Sequence, residues 1–267
     1  MGKAPIGIFD SGVGGLTVLR QVMKELPRED VIYLADTARV PYGSRSPQEI
    51  IQINQQINQF LVQVGVKTIL IACGTSSAIA YPVLKDQSPI PLVGLIEPGS
   101  RAALRASRSG KIGVIATEAT TRASSYPRTM KELQKGVEVY AQACPMLVPL
   151  IEGGFMEAPE TKETLREYLT PLIRHAIDTL LLGCTHYPHL ETLLRHILDS
   201  TVTLVDPAIA MVQEAKKMLV SMGLLRSQNP TPSIRYFVTG SPLSFQETGS
   251  KLLRKPMEDV RLVTLPT

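Results

Sequence analysis

The chain alternates short apolar runs with longer segments in which apolar residues recur every three or four positions. The first run covers 6–9, and a glycine-rich turn at 10–15 leads from it into apolar residues at helical spacing up to Leu26. The second run, 31–34, is followed by a loop and by Ser-Pro-Gln-Glu at 46–49, a capping box with proline at the first helical position. Strands that are apolar on both faces and alternate with helices predict a parallel sheet covered by helices on both sides.

Two pairs of segments resemble each other along the chain. Residues 67–75 and 178–186 both form an apolar run that ends in a cysteine, and residues 6–11 resemble residues 112–117. The members of each pair lie roughly a hundred residues apart, which predicts two similar α/β halves. The fold class expected is therefore α/β, with two parallel sheets.

The chain after residue 206 matches neither half. Its pattern predicts a helix over 209–219, a loop rich in Pro and Ser over 227–233, a strand over 234–238, a further helix, and a last strand over 260–265. We expect these elements to complete one of the two halves.

Composition and charge narrow the class of protein. The 267 residues are 44% hydrophobic and 19% charged, which excludes collagen, coiled coils and disordered chains. The net charge of +4 is scattered and aromatic residues make up 5%, so we expect no direct nucleic-acid partner, whereas a mildly positive field suits a small anionic substrate. No run approaches the roughly 18 apolar residues of a membrane span. With no signal-peptide pattern, the expected location is cytoplasmic.

The three cysteines differ in their sequence contexts. Their odd number and wide spacing exclude a disulfide framework, so reduced thiols are expected. Cys73 and Cys184 each end a predicted strand, where ligands bind in parallel α/β sheets and where the next helix lowers the pKa of a thiol. Each is therefore a candidate thiolate near neutral pH. Cys144, which precedes Pro145, is expected to be a buried apolar residue.

Two similar halves that face each other would bring one thiol to each side of a shared cleft. Inversion of a carbon stereocentre needs one group that removes a proton from one face and another that delivers a proton to the opposite face, and thiols have a suitable pKa for both tasks. Asp10 and Ser11 end the first strand, and His186 follows Cys184 closely. Each is a candidate to hydrogen-bond a thiol, to tune its pKa or to orient the substrate.

Four blocks of the sequence resemble the signature blocks of bacterial glutamate racemases, in the aspartate/glutamate racemase family, over essentially the whole chain. The resemblance implies a cofactor-independent enzyme, without a metal, that interconverts L- and D-glutamate and supplies D-glutamate for peptidoglycan. The blocks are Gly-Ile-Phe-Asp-Ser-Gly-Val-Gly-Gly-Leu-Thr at 7–17, Asp-Thr-Ala-Arg-Val-Pro-Tyr-Gly at 36–43, Ala-Cys at 72–73 with Thr75, and Gly-Cys-Thr-His-Tyr-Pro at 183–188.

The resemblance also implies a role for each matching residue. Cys73 would exchange a proton with the D-enantiomer, assisted by Asp10, and Cys184 with the L-enantiomer, assisted by His186. Glu152 is similar to an acidic residue of the family near the second cysteine. The positions implied to bind or surround the substrate are Asp10, Ser11, Pro41, Tyr42, Gly43, Gly74, Thr75, Thr117, Thr120, Thr185 and His186.

Domain organisation and partners follow from the same resemblance. Residues 1–97 together with 207–267 would form one domain and residues 98–206 the other, the two facing each other across a cleft with pseudo-symmetry. A homodimer is implied. Some relatives are reported to bind DNA gyrase, and nothing in this sequence bears on that interaction.

One position departs from the family pattern. The family usually has Asn after the first cysteine, where this chain has Gly74. A missing side-chain amide predicts weaker substrate binding by about 1.5–3 kcal/mol, unless water or Ser76 takes its place. A catalytically weakened member with a binding role, such as gyrase inhibition, is therefore one alternative.

Three other hypotheses stay open. Cys184, His186, His189 and His196 include potential metal ligands, but their spacing is not a standard zinc pattern, and a predicted helix over 189–198 puts the last two at the surface. The glycine-rich turn is a candidate phosphate cradle, yet it lacks the P-loop lysine and does not fit G-x-G-x-x-G. An aspartate racemase or a related two-cysteine isomerase is the closest rival. The residues that follow Cys184, Thr-His-Tyr-Pro, favour glutamate.

Overall fold

The strands form two separate parallel sheets in the computed structural model, which describes residues 3–228 and 231–266. The strands are β1 (Ile6–Asp10), β2 (Val31–Ala35), β3 (Thr68–Ile71), β4 (Leu92–Val93), β5 (Lys111–Ala116), β6 (Glu138–Ala143), β7 (Thr179–Leu182), β8 (Thr203–Val205), β9 (Ile234–Val238) and β10 (Val260–Leu262). The six-stranded sheet has the order β10-β9-β2-β1-β3-β4, and the four-stranded sheet has the order β6-β5-β7-β8. The predicted α/β class with two parallel sheets is confirmed.

Helices connect the strands and cover both sheets. Among the described residues, none of them is long and apolar enough to cross a membrane. The helices are α1 (Leu16–Glu25), α2 (Pro47–Gln63), α3 (Gly74–Ile79), α4 (Tyr81–Leu84), α5 (Ile96–Ala106), α6 (Glu118–Arg122), α7 (Ser125–Leu133), α8 (Leu147–Glu152), α9 (Pro159–Arg174), α10 (Glu191–Ile197), α11 (Pro207–Ser221) and α12 (Pro242–Leu253), with a 3-10 helix at Tyr187–Leu190.

Each sheet carries a hydrophobic core on both of its faces. Adjacent residues of β1 point to opposite sides, so that Ile8 packs in the cluster with α1 and α11, while Phe9 packs in the cluster with α2. The four-stranded sheet repeats this arrangement, since Leu180 and Leu181 belong to different clusters. Burial on both faces explains why the central strands are continuous apolar runs.

Several local predictions are confirmed and others need correction. Helix α2 begins with the predicted capping box, in which Glu49 Oε2 accepts a hydrogen bond of 3.0 Å from Ser46 N. Two short helices, α3 and α4, follow β3, and Pro82 lies in the first turn of the second. Strand β6 was not predicted, because it is a polar edge strand without an apolar run. Residues 229 and 230 of the predicted loop lie outside the described residues.

The C-terminal strands join the sheet built by the first part of the chain. Strand β9 pairs in parallel with β2, with Val31 opposite Ile234, and β10 pairs with β9. A buried ion pair reinforces this connection: Lys67 Nζ lies 2.5 Å from Glu29 Oε2 and donates to Leu224 O at 2.8 Å. Lys67 therefore ties the start of β3 to the segment that leads into the C-terminal strands.

We expect Lys67→Met to lower the free energy of unfolding by about 3–5 kcal/mol, because the substitution leaves the Glu29 carboxylate buried without its cation while it preserves the side-chain volume. Urea denaturation measures the change. The control is Arg45→Met, at an exposed pair with Glu49 that is worth at most about 1 kcal/mol. Equal losses in the two variants would contradict the prediction.

Candidate active site

A cavity of about 90 Å³ lies where the carboxyl ends of the two sheets meet. Its walls come from residues at or after the carboxyl ends of β1, β2 and β3 in the six-stranded sheet and of β5, β6 and β7 in the four-stranded sheet. This is the position at which parallel α/β sheets bind ligands. The lining residues are Asp10, Ser11, Pro41, Tyr42, Gly43, Ser44, Cys73, Gly74, Thr75, Thr117, Glu118, Pro145, Val148, Cys184, Thr185 and His186.

Most of the residues singled out in the sequence meet at this cavity. Two do not line it and instead contact residues that do: Thr120 Oγ1 lies 3.0 Å from Thr117 Oγ1, and Glu152 Oε1 lies 2.7 Å from His186 Nε2. Sequence reasoning missed four lining residues, which are Ser44, Glu118, Pro145 and Val148. The first two directly follow predicted positions, whereas the last two follow the unpredicted strand β6.

The first cysteine is buried as a neutral thiol. Burial raises the pKa of Cys73 to about 12, and the negative charge of Asp10 adds to this effect. The backbone N–H and the hydroxyl of Ser76, at the start of α3, favour the thiolate but do not outweigh the burial. The expectation that the helix N-terminus makes Cys73 a thiolate near neutral pH is therefore wrong, because burial disfavours the charged form of the thiol more strongly than these contacts favour it.

The second cysteine has an opposite electrostatic environment. Cys184 Sγ lies 3.6 Å from His186 Nδ1, and the other ring nitrogen of His186 contacts Glu152. Burial alone would lower the pKa of His186, but its hydrogen bonds with Cys184 and Glu152 raise that pKa well above the ordinary value of 6.5. Burial would likewise raise the pKa of Glu152, and the contact with His186 lowers it. The contact with Glu152 therefore favours the protonated form of His186.

The glycine-rich turn holds carboxylates of the protein itself. Asp10 Oδ2 accepts hydrogen bonds of 3.0 Å from the N–H groups of both Gly12 and Gly15. Burial nevertheless raises the pKa of Asp10. The N–H of Val13 donates to Glu152 Oε1 at 3.2 Å, and a Cβ on Gly14 would lie 2.2 Å from His186 Nδ1. Carboxylate and imidazole groups of the protein itself thus occupy the turn. This occupancy does not favour the phosphate-cradle alternative.

Hydroxyl groups line the part of the cavity between Cys73 and the second sheet. Thr75 Oγ1 and Thr117 Oγ1 lie 2.9 Å apart, and Thr185 Oγ1 donates to Asp10 Oδ1 at 3.5 Å. Hydroxyls bind carboxylates without introducing a base that would compete for the proton. Tyr42 differs from them, because its hydroxyl donates to Asp36 and burial raises its pKa, so the phenol stays neutral.

His189, which lies in the 3-10 helix that follows Cys184, is not fully exposed at the surface, in contrast to the prediction. His189 is half-buried, and burial lowers its pKa to about 4. The segment after Cys184 also differs from a strand–helix unit, since a 3-10 helix at Tyr187–Leu190 precedes α10. Within residues 3–228 and 231–266, no group of three or more His, Cys, Asp or Glu side chains is arranged to hold a metal ion.

Comparison with known proteins agrees with this geometry. The sequence model of the Asp/Glu/hydantoin racemases matches residues 7–215. The chain belongs to this racemase family. It is 43% identical to the glutamate racemase of Desulforudis audaxviator, over 99% of both chains, and 45% identical to that of Trichodesmium erythraeum, over 98% of this chain and 95% of the relative. The protein is therefore an isomerase, an amino-acid racemase, and the resemblance noted in its sequence blocks is confirmed.

Solved structures of racemases share the whole fold. Glutamate racemase isoform RacE1 from Bacillus anthracis superposes with a TM-score of 0.96 at 36% identity, covering 100% of this chain and 99% of that one. The glutamate racemase from Francisella tularensis, in complex with D-glutamate, gives a TM-score of 0.92 at 35% identity, over 99% and 98% of the two chains. The two-sheet architecture is thus that of racemases in this family.

We expect Glu152→Gln to lower the pKa of His186 relative to the wild type, because the substitution removes a carboxylate that raises this pKa while the burial that lowers it remains. NMR titration of histidine-labelled protein measures this pKa, with the His186 signal assigned by its loss in His186→Asn. Glu118→Gln is the control, since Glu118 lines the same cavity. The same downward shift in both variants, or none in Glu152→Gln, would contradict the prediction.

Proposed function

We propose that this racemase interconverts L- and D-glutamate by proton transfer at Cα between two cysteines. The observation that carries the proposal is that Cys73 and Cys184, each at the end of a strand in a different sheet, line the same cavity. Relatives named as glutamate racemases at 43–45% identity support glutamate as the substrate. The complex of the Francisella tularensis enzyme with D-glutamate supports it further.

The proposed reaction from D-glutamate begins at Cys73. Asp10, whose pKa is raised by burial, accepts the thiol proton, and the Cys73 thiolate then removes the proton from Cα. The planar carbanion receives a proton on its opposite face from the Cys184 thiol. The protonated His186 stabilises the Cys184 thiolate that remains, and Glu152 holds the imidazolium in place. After the product leaves, Asp10 releases its proton to solvent and the Cys184 thiolate takes one up, which restores the starting state. The reverse reaction uses the two thiols in exchanged roles.

Substrate recognition is proposed to rest on hydroxyl and backbone N–H groups. Thr75, Thr117 and Thr185 present hydroxyls to the cavity, while Thr120 holds Thr117 through its own hydroxyl. Such donors bind the two carboxylates of glutamate and stay neutral. Aspartate has the same groups with one methylene fewer, so it remains the second candidate substrate. A methylene discriminates between substrates by only about 1–3 kcal/mol.

The setting of the reaction is also part of the proposal. Supply of D-glutamate for peptidoglycan, a cytoplasmic location and a homodimer follow from the resemblance of the sequence blocks. We further propose the domain division 1–97 with 207–267, and 98–206. Its support is that no strand pair of the described residues crosses these boundaries.

Incubation with L-glutamate in D₂O tests the proposal. We expect the wild type to replace the Cα proton with deuterium, observed by NMR, and to form D-glutamate, observed by chiral chromatography. Cys73→Ser and Cys184→Ser should each lower the rate by about 10²–10⁴-fold, because each removes one proton-transfer group.

Cys144→Ser is the matched control for these variants. Cys144 is buried and donates to Gln142 O, but it does not line the cavity, so the activity should persist. Equal losses in all three variants would contradict the assigned roles. Racemisation of aspartate but not of glutamate would transfer the mechanism to the second substrate.

A further inference from the structure

The two cysteine-bearing turns touch each other through their backbones. Gly74 follows Cys73 directly, and Gly183 precedes Cys184 directly. A Cβ atom on Gly74 would lie 2.3 Å from the carbonyl oxygen of Gly183, a separation that no real Cβ contact shows. The atom that it would meet belongs to the backbone of the opposite sheet, so no side-chain rotation relieves the overlap.

Neither backbone is free to move locally. On the second sheet, Gly183 N donates to Ile115 O at 2.8 Å, and a Cβ atom on Gly183 would lie 2.9 Å from Cε2 of Tyr126. On the first sheet, Ala72 N donates to Phe9 O at 2.9 Å, and Cys73 O accepts the first hydrogen bond of α3. Strand pairing therefore fixes the backbones that carry Gly74 and Gly183. A side chain at residue 74 fits only if the two turns move apart as units.

Further hydrogen bonds across the same gap depend on the close approach. Thr75 Oγ1 meets Thr117 Oγ1 at 2.9 Å, and Thr17 Oγ1 donates to Thr185 O at 3.2 Å. Thr75 lies two residues after Cys73, and Thr185 directly follows Cys184. Each of these bonds therefore joins the two halves of the chain next to a cysteine. Separation of the turns by a fraction of an ångström would stretch both bonds together with the distance between the thiols.

We propose that Gly74 is a positioning residue that sets the separation of Cys73 and Cys184, and that the absence of a side chain there is required for catalysis by this chain. The proposal rests on the two-cysteine function proposed above. It reverses the interpretation of Gly74 drawn from the sequence, in which the missing amide weakens the site. Here the glycine permits a close approach of two backbones, for which only glycine has room.

The two interpretations predict opposite results for Gly74→Asn and Gly74→Ala. If a substrate contact is missing, Gly74→Asn restores activity and Gly74→Ala changes little. If Gly74 sets the separation, both variants lose activity by about 100-fold, the loss expected from a displacement near 1 Å. Rates of glutamate racemisation measure this difference. Gly94→Ala is the control, because Gly94 is also buried and its new Cβ would meet only side-chain atoms, at 3.2 Å or more.

The separation of the thiols is measured directly with bis-methanethiosulfonate reagents of graded length, applied in the cold to the unliganded proteins. Peptide mass mapping identifies the bridged pair and distinguishes it from products of Cys144. We expect the shortest reagent that bridges Cys73 and Cys184 to be longer in Gly74→Ala and Gly74→Asn than in the wild type and in Gly94→Ala. Because each sheet has its own core, we expect both variants to keep the wild-type circular dichroism spectrum.

Several outcomes would overturn the proposal. They are an Asn variant at least as active as the wild type, an unchanged bridging length in the Gly74 variants, and failure of these variants to fold, since the turns would then be unable to separate. Failure of the wild type to racemise glutamate would reject the proposed function instead. The bridging lengths test the spacing independently of any activity.

Discussion

The burial of ionisable side chains in the seam between the two sheets is the constraint on which the rest of the site depends. Asp10, His186 and both cysteines of the cavity are buried, and a charge in such surroundings must be paired or neutralised. Glu152 has a partner on each side of the seam. It accepts a hydrogen bond from Val13 N in the turn after β1, and it pairs with His186 after β7. The ion pair that keeps the imidazole charged is also a tie between the halves.

Two similar frameworks carry dissimilar neighbours at equivalent positions. Cys73 lies near the carboxylate of Asp10 and is held as a thiol, whereas Cys184 lies beside the ring of His186. The two similar backbones thus place two thiols at comparable positions. The side chains around each thiol give the two positions different electrostatic surroundings. In the proposed reaction this difference lets one thiol hold a proton while the other releases it.

The sequence predicted features that depend on the local pattern of residues. It did not predict features that depend on which residues from distant segments pack against them. Apolar runs ending in Cys73 and Cys184 revealed the strands and, through the topology of parallel sheets, the cavity. The raised pKa of Cys73 could not be predicted, because a helix N-terminus is visible in a sequence while the burial of the thiol and the carboxylate of Asp10 beside it are not. Gly74 was visible as a missing amide, but the carbonyl of Gly183 that faces it belongs to a distant segment.

The pairing of β2 with β9 determines when the site can first exist during biosynthesis. Strand β9 leaves the ribosome long after β1, β2 and β3, and it completes the sheet only near the end of translation. Thr239, just beyond β9, donates at 2.7 Å to Asp36, the carboxylate that accepts from the Tyr42 hydroxyl at the cavity wall. A nascent chain that lacks this segment leaves that wall unsupported, so a truncated product is not a smaller version of the enzyme.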